Sequence, residues 1–378
     1  MKRLKLGMVG GGRGAFIGGV HRIASRIDGR FELVAGALSS SADTAAESAA
    51  DLGIAPDRSY SDFRVMAKTE ADRSDGIDAV AIVTPNQMHA APVIAFLRAG
   101  ISVICDKPLC ATLAEADEIA AAIKSSNAHF VLTHNYTGYP LVRHARRIIA
   151  NGELGAIRVA QIEYAQDWLA KSIENEGQKQ AAWRTDPAKS GGGGAIGDIG
   201  THAFNLLGFV TGLKTEALSA DLHSFGTGRQ VDDNAHILLR MQGGAKAMLW
   251  ASQIAIGNEN RMCLRVYGEK GGLEWSQENP NVMSLTVHGE AKRILTRGGA
   301  GFGDGSQLWT RIPPGHPEGY LECFANIYTD AADLIEGKND GAMLPGIDEG
   351  LQGMQFIDTC LRSAGNNSEW LPFGLKKS

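Results

Sequence analysis

From Leu4 to Thr133 the chain alternates short apolar runs with helical patterns, and this alternation limits its fold more than any other feature. Leu4 to Val9 reads as a buried strand ended by glycines, followed by a helix at His21 to Ile27. A second strand, Phe31 to Leu38, leads to the alanine-rich helix Ala42 to Leu52. Ala79 to Val83 is a third strand, closed by Thr84-Pro85-Asn86, with a helix from His89 to Ala99. Strands at Ile101 to Cys105 and Phe130 to Thr133 flank the helix Leu113 to Lys124. Strands that are apolar at successive positions bury both faces, which requires a parallel sheet covered by helices on each side.

The alternation stops near Pro140. Ala156 to Gln166, His236 to Met241, Ala247 to Ile254, Met262 to Tyr267 and Met283 to Val287 read as strands. Turns at Gly243-Gly244 and Gly271-Gly272 suit an antiparallel sheet. A helix is expected from about Asp198 to Phe209, and two more at Glu318 to Ile335 and Asp348 to Ala364. Gly298 to Gly305 reads as a flexible loop. The chain has 378 residues, more than one core usually holds. The expected architecture is α/β: a nucleotide-binding domain over residues 1–140, and an α/β domain with a large, mostly antiparallel sheet over residues 141–378. The last helices are candidates to pack back on the first domain.

Composition excludes several classes. Net charge is −5, so the chain lacks the basic footprint of a nucleic-acid binder. Cys105, Cys110, Cys263, Cys323 and Cys360 are scattered and form no C-x-x-C. That argues against a structural metal site and a disulfide framework, and suits a reducing cytoplasm. Basic residues open the chain, but Gly7 to Gly14 follows where a signal peptide needs an apolar core. No apolar run is long enough to span a membrane.

Three motifs carry chemistry, the glycine loop, Lys107 and the Asp198/His202 pair, and Thr84-Pro85-Asn86 stands beside them. After the first strand stands Gly10-Gly11-Gly12-Arg13-Gly14-Ala15-Phe16-Ile17-Gly18. Gly10-x-Gly12-x-x-Ala15 fits the dinucleotide fingerprint, and Gly18 is the alternative third glycine of a longer loop. Such glycines let backbone N–H groups approach a pyrophosphate at a helix N-terminus. The second strand ends in Leu38-Ser39-Ser40-Ser41 without the acid that selects NAD, while Glu32 starts that strand. Both NAD and NADP therefore remain candidates. Thr84-Pro85-Asn86 and Asp106-Lys107-Pro108 each follow a strand, on the side where parallel sheets bind ligands. Each also has a plainer reading as a proline turn, with His89 starting the next helix. A lysine at such a point stabilises developing alkoxide charge. Asp198 and His202 stand four residues apart, on one face of a helix. Histidine titrates in the range needed to take a hydroxyl proton as hydride leaves carbon. Asp198 would orient the imidazole or bind a neighbouring hydroxyl; an N-cap aspartate plus a core histidine is the plainer alternative. Together the three motifs point to hydride transfer at a sugar or polyol carbon.

In this order the motifs resemble the Gfo/Idh/MocA oxidoreductase family, which includes glucose–fructose oxidoreductase and inositol 2-dehydrogenase. The likeness spans nearly the whole chain and includes Gly192-Gly193-Gly194 leading to Asp198-Ile199-Gly200-Thr201-His202. It implies a Rossmann domain followed by an α/β domain with a mostly antiparallel sheet. It also implies Lys107, Asp198 and His202 as the catalytic set. Cofactor contacts are then expected from Gly10, Gly12, Arg13, Gly14, Ala15, Phe16, Ile17, Ser39, Ser40, Thr84, Pro85, Asn86, His89, Asp106, Lys107 and Pro108. Trp183-Arg184 stands where members often carry a similar pair. Tyr136 and Trp168 are further candidates for substrate contact, since aromatic faces stack on sugars. Asp106 departs from the commoner glutamate, and the glycine loop is a few residues longer.

The expectation is a cytoplasmic NAD(P)-dependent oxidoreductase acting on a sugar, inositol or polyol, as a homodimer or homotetramer paired through its antiparallel sheet. Two rivals stay open. One is an NAD-dependent glycosidase that oxidises C3 transiently and releases aglycone without accumulating NADH. The other is a nucleotide-sensing regulator, which need not keep Lys107, Asp198 and His202.

Overall fold

The computed structural model describes residues 3–302 and 309–374. Two compact units result. One runs to Asn135 and resumes over Tyr320–Leu351; the other takes Tyr136–Gly319 and the chain from Gln352 on.

The first unit is built on strands β1 (Leu4–Gly10), β2 (Phe31–Ala37), β3 (Ala79–Val83), β4 (Ser102–Asp106) and β5 (Phe130–Thr133). They pair in the order β2-β1-β3-β4-β5, all parallel. Every residue of β3 is buried, as a strand covered on both faces requires. The chain crosses from β2 past β1 to reach β3, which sets the topological switch between β1 and β3.

The helix after β1 is Phe16–Ile27, longer than the His21 to Ile27 expected. Its first turn holds Gly18 and Gly19, which have poor helix propensity. Gly18 is required there by packing, because a Cβ on it would overlap Gly11 Cα. A helix at Phe63–Asp72 was not legible: it buries Met66, Ala67 and the charged Glu70. Glu70 pairs with Arg58 and accepts from Tyr60 Oη at 2.9 Å, so its inward face carries an ion pair where an apolar stripe would signal a helix. The helix Tyr320–Ile335 lies late in the sequence yet packs on Phe16–Ile27. His21 and Tyr328 bond at 2.8 Å, and Arg30 pairs with Asp333 at 2.7 Å.

The second unit holds β6 (Ile157–Ala165), β7 (Thr215–His223), β8 (Asn234–Met241), β9 (Lys246–Ser252), β10 (Arg261–Gly268), β11 (Gly271–Ser276), β12 (Val282–Val287), β13 (Arg293–Thr296) and β14 (Leu371–Pro372). Their order is β13-β12-β11-β10-β6-β9-β8-β7-β14. Pairing is antiparallel except between β6 and β9. In β8, Ala235, Ile237, Leu239 and Met241 are buried while His236, Leu238 and Arg240 face out. The buried face takes the helix Thr201–Thr211 against β6, β9 and β10.

Gly271 and Gly272 open β11 instead of forming the expected turn. A Cβ on Gly271 would strike the Thr286 carbonyl, and one on Gly272 would strike the Tyr267 ring. These glycines therefore serve strand packing. Residues 298–302 form turns, and 303–305 of the expected loop lie outside the described residues. Among the described residues, no helix is long and apolar enough to cross a membrane.

Candidate active site

The first unit presents its motifs at the carboxyl ends of β1, β3 and β4. Gly10, Gly11 and Gly14 adopt φ of 79°, 72° and 76°, a region costly for residues with a Cβ. A Cβ on Gly12 would meet the Leu38 carbonyl and Ser48 Oγ. The loop is therefore a cradle that only glycines can line, and Gly11 against Gly18 is the close helix–strand approach that the fingerprint's last glycine provides. Ala15 caps the following helix without a side-chain hydrogen bond, so the first-turn N–H groups around Phe16 and Ile17 keep their capacity to hold an anion. These residues fit a dinucleotide pyrophosphate. Phe16 is 68% exposed beside the loop.

Arg13 donates its backbone N–H to Ser48 Oγ at 3.2 Å. Its guanidinium is engaged by Asp51 and Glu47 on the helix Ala42–Asp51. Ser39 is half-buried and Ser40 exposed, just beyond β2.

His89 uses both ring nitrogens on main-chain carbonyls, Thr84 O and Pro108 O, each at 2.8 Å. It thereby ties Thr84-Pro85-Asn86 to Asp106-Lys107-Pro108, and its ring acts on those two turns. Asn86 is buried, and the Lys107–Pro108 peptide is cis. Lys107 is half-buried directly after β4. Asp106 accepts from Thr133 Oγ1 at 2.9 Å and lies 3.8 Å from His21 Nε2. Burial pushes the Asp106 carboxyl up, but the neighbouring His21, Lys107 and His89 more than offset it and hold it below the usual carboxylate range. Burial and the Lys107 charge pull the His134 imidazole down to about 3, which favours its neutral form.

The second unit holds the Asp/His pair. Asp198 lies in a wide π-type turn, Ile196–Gly200, which runs into the helix Thr201–Thr211 carrying His202. The Asp198 carboxylate accepts from Gln253 Nε2 at 2.9 Å and lies 3.3 Å from Arg184 Nε. His202 is 7% exposed. Its ring meets Tyr136 edge-on at 4.9 Å and stands 6.2 Å from Tyr164. The two tyrosine hydroxyls are hydrogen-bonded, and Tyr164 donates on to Asn260 Oδ1 at 2.9 Å. Gln166 Nε2 donates to the same Asn260 oxygen at 2.7 Å, and Trp168 Nε1 donates to Gln166 at 3.1 Å. Arg184 stacks on Trp183 at 4.3 Å and stands 6.0 Å from Trp168.

Tyr136, Trp168, Trp183 and Arg184 thus gather with Asp198 and His202 in this unit. The glycine loop, Ser39, Ser40, the Thr84 turn, His89 and Lys107 gather in the other. Gln253, Asn260 and Gln166 were not singled out in the sequence, since an amide at a strand end has no spacing signature. Gln253 directly follows β9, where the expected strand ran on to Ile254.

Comparison with known proteins identifies the family of the chain. Residues 4–145 match the family model described as the oxidoreductase family, NAD-binding Rossmann fold, and residues 142–274 match the GFO/IDH/MocA C-terminal domain. A crystal structure of an oxidoreductase from Sinorhizobium meliloti is 53% identical, with a TM-score of 0.90 over 98% of this chain and 100% of that one. An inositol dehydrogenase homolog from Azotobacter vinelandii, complexed with NADH and myo-inositol, is 34% identical, with a TM-score of 0.91 over 98% of each chain. Levoglucosan dehydrogenase of Pseudarthrobacter phenanthrenivorans is 27% identical over 97% of this chain and 98% of its own. With its NAD-binding Rossmann domain and its mostly antiparallel second sheet, the chain belongs to the Gfo/Idh/MocA oxidoreductase family.

Proposed function

We propose that the protein is an NAD-dependent dehydrogenase acting on a hydroxyl-bearing carbon of a sugar, inositol or related polyol. The observation that carries this reading is His202, held in a tyrosine wall one turn beyond an Asp198 fixed by Gln253 and Arg184. When bound, the nicotinamide accepts the hydride or returns it. His202 takes the hydroxyl proton in oxidation and gives it back in reduction. Positioned acid–base groups contribute about 10²- to 10⁴-fold. Lys107 polarises the reacting oxygen, and Asp198 holds a substrate hydroxyl. Trp168, Trp183 and Arg184 serve the substrate, whereas the Tyr136 ring, 3% exposed and stacked on Tyr139, backs His202 and is not free to stack on a sugar.

Gly10, Gly12, Gly14 and the N–H groups of Arg13, Ala15, Phe16 and Ile17 receive the pyrophosphate. Ser39 and Ser40 would hold the adenosine ribose, and Thr84, Pro85, Asn86, His89, Asp106, Lys107 and Pro108 would line the nicotinamide end. NAD is favoured over NADP because the Arg13 guanidinium is already engaged by Glu47 and Asp51. The first unit, to Asn135 with Tyr320–Leu351, serves as the cofactor domain, and the second serves substrate binding and oligomerisation in a cytoplasmic dimer or tetramer. The relatives crystallised with NADH and with myo-inositol or levoglucosan support the cofactor and the substrate class. A panel of sugars and polyols with each cofactor, followed by absorbance of reduced nicotinamide, tests the proposal. NADH formation from at least one polyol supports it. Aglycone release from glycosides without NADH would identify a glycosidase instead.

A further inference from the structure

Two buried aspartates, Asp232 and Asp233, directly precede β8, and they face different tasks. Asp233 closes its own loop. It pairs with Arg229 at 2.7 Å and accepts the N–H groups of Phe225 and Gly226 at 3.0 and 2.8 Å. Asp232 reaches across to the glycine run that precedes the Asp198 turn. Its Oδ1 accepts the Gly194 N–H at 2.7 Å, its Oδ2 accepts the Ile196 N–H at 2.8 Å, and its carbonyl accepts the Ala195 N–H at 2.8 Å. One residue thus satisfies three successive donors.

The approach is possible only because residue 194 is glycine: a Cβ there would overlap the Asp232 carbonyl. Gly194 O in turn accepts the Asp198 N–H at 2.9 Å. A second hold comes from the neighbouring strand. Gln253, directly after β9, donates its N–H to Asp233 O at 2.8 Å and its side chain to the Asp198 carboxylate. The backbone of the turn is therefore gripped from β8 and the Asp198 side chain from β9. A π-type turn is rarer and less well bonded than α-helix, so it needs such external partners to persist.

We propose that Asp232 is a positioning residue: its carboxylate locks the Gly194–Ile196 backbone and so sets the turn from which Asp198 and His202 act. This rests on the roles given to Asp198 and His202 above. An asparagine at 232 keeps one acceptor and turns an N–H donor toward a backbone N–H. Misplacement of a catalytic group by a fraction of an ångström to 1 Å costs about 10- to 100-fold in rate.

The test compares Asp232→Asn with Asp233→Asn, an equally buried neighbour whose side chain does not touch the turn. Hydrogen exchange followed by mass spectrometry should show faster exchange over residues 194–198 in Asp232→Asn, with NAD affinity unchanged. In the same protein kcat should fall about 10- to 100-fold at unchanged KM for NAD, whereas Asp233→Asn should lower Tm and leave kcat within about twofold. In an Asp198→Ala background, Asp232→Asn should cost less than in the wild type, the remaining loss being the part that runs through His202. Unchanged exchange in the turn would overturn the proposal. So would faster exchange with unchanged kcat, or equal kcat losses in the two variants. A wild-type enzyme that binds NAD but oxidises no polyol would refute the functional reading itself, and this inference with it.

Discussion

Among the histidines, burial and partners separate the candidates for proton transfer. His89 is fixed by two carbonyls and His134 is biased to its neutral form, whereas His202 sits among hydroxyl-bearing rings. On the role proposed for Lys107, Lys107→Ala should leave Tm near the wild-type value and lower kcat about 10²- to 10³-fold, as removal of one charge-stabilising donor does. A large fall in Tm with activity retained would make it a structural lysine. Asp232 adds a pH signature. Burial, reinforced by the Asp233 charge, lifts its carboxyl from 3.8 to about 6 against the pull of its N–H donors. The folded state then binds this proton more tightly than the unfolded chain. The contribution is fully present below about pH 4 and is lost as pH rises through about 6. Thermal melts from pH 4.5 to 7 should show the wild type gaining stability relative to Asp232→Asn as pH falls; parallel curves would refute the shift. Lys107, Asp198 and His202 could be singled out as candidates because each stands in a short motif of this sequence. Asp232 and Gln253 could not, because their meaning comes from partners 36 to 55 residues away.

At the level of elements, the glycine loop and the Asp198 turn obey one rule: glycine stands where another backbone must come within contact distance. Gly18→Ala would force its Cβ against Gly11 Cα. Overpacking of this kind costs about 1–3 kcal/mol, and here it would also displace the cradle. Differential scanning calorimetry and NAD titration should both register the change, with NAD binding weakened at least about tenfold. Unaltered NAD affinity would show that the loop tolerates the displacement. The apolar runs of β1, β3 and β4 placed these strands correctly within a residue or two. The helix Phe63–Asp72 escaped because its buried face holds an Arg58–Glu70 ion pair. The helix Pro140–Ala150 escaped because Pro140 was read as the end of the alternation, whereas it stands in the helix's first turn.

At the scale of the molecule, the outward face of the second sheet exposes apolar side chains among charged ones such as Arg240 and Lys246. Leu238 and Met248 pair across strands and are each 49% exposed, and Val159, Tyr267 and Ile294 are also exposed. Exposed patches of this kind mark association surfaces, and closed symmetry favours a dimer or tetramer. Light scattering at micromolar concentration should give twice or four times the chain mass, and Leu238→Glu with Met248→Glu should shift it toward monomer. A wild-type monomer would remove the case for this interface. The helix Tyr320–Ile335 belongs with the first unit despite its late position. The sequence only hinted at this, because tertiary return has no local signal. His202 is proposed to move the proton in NAD-dependent oxidation of a polyol. This role is tested most directly by following NADH formation from an active polyol in wild type and His202→Ala, at saturating NAD, with NADH affinity measured by fluorescence. The account predicts equal NADH affinity and a kcat lower by about 10²- to 10⁴-fold in the variant. Near-normal turnover in His202→Ala would contradict it.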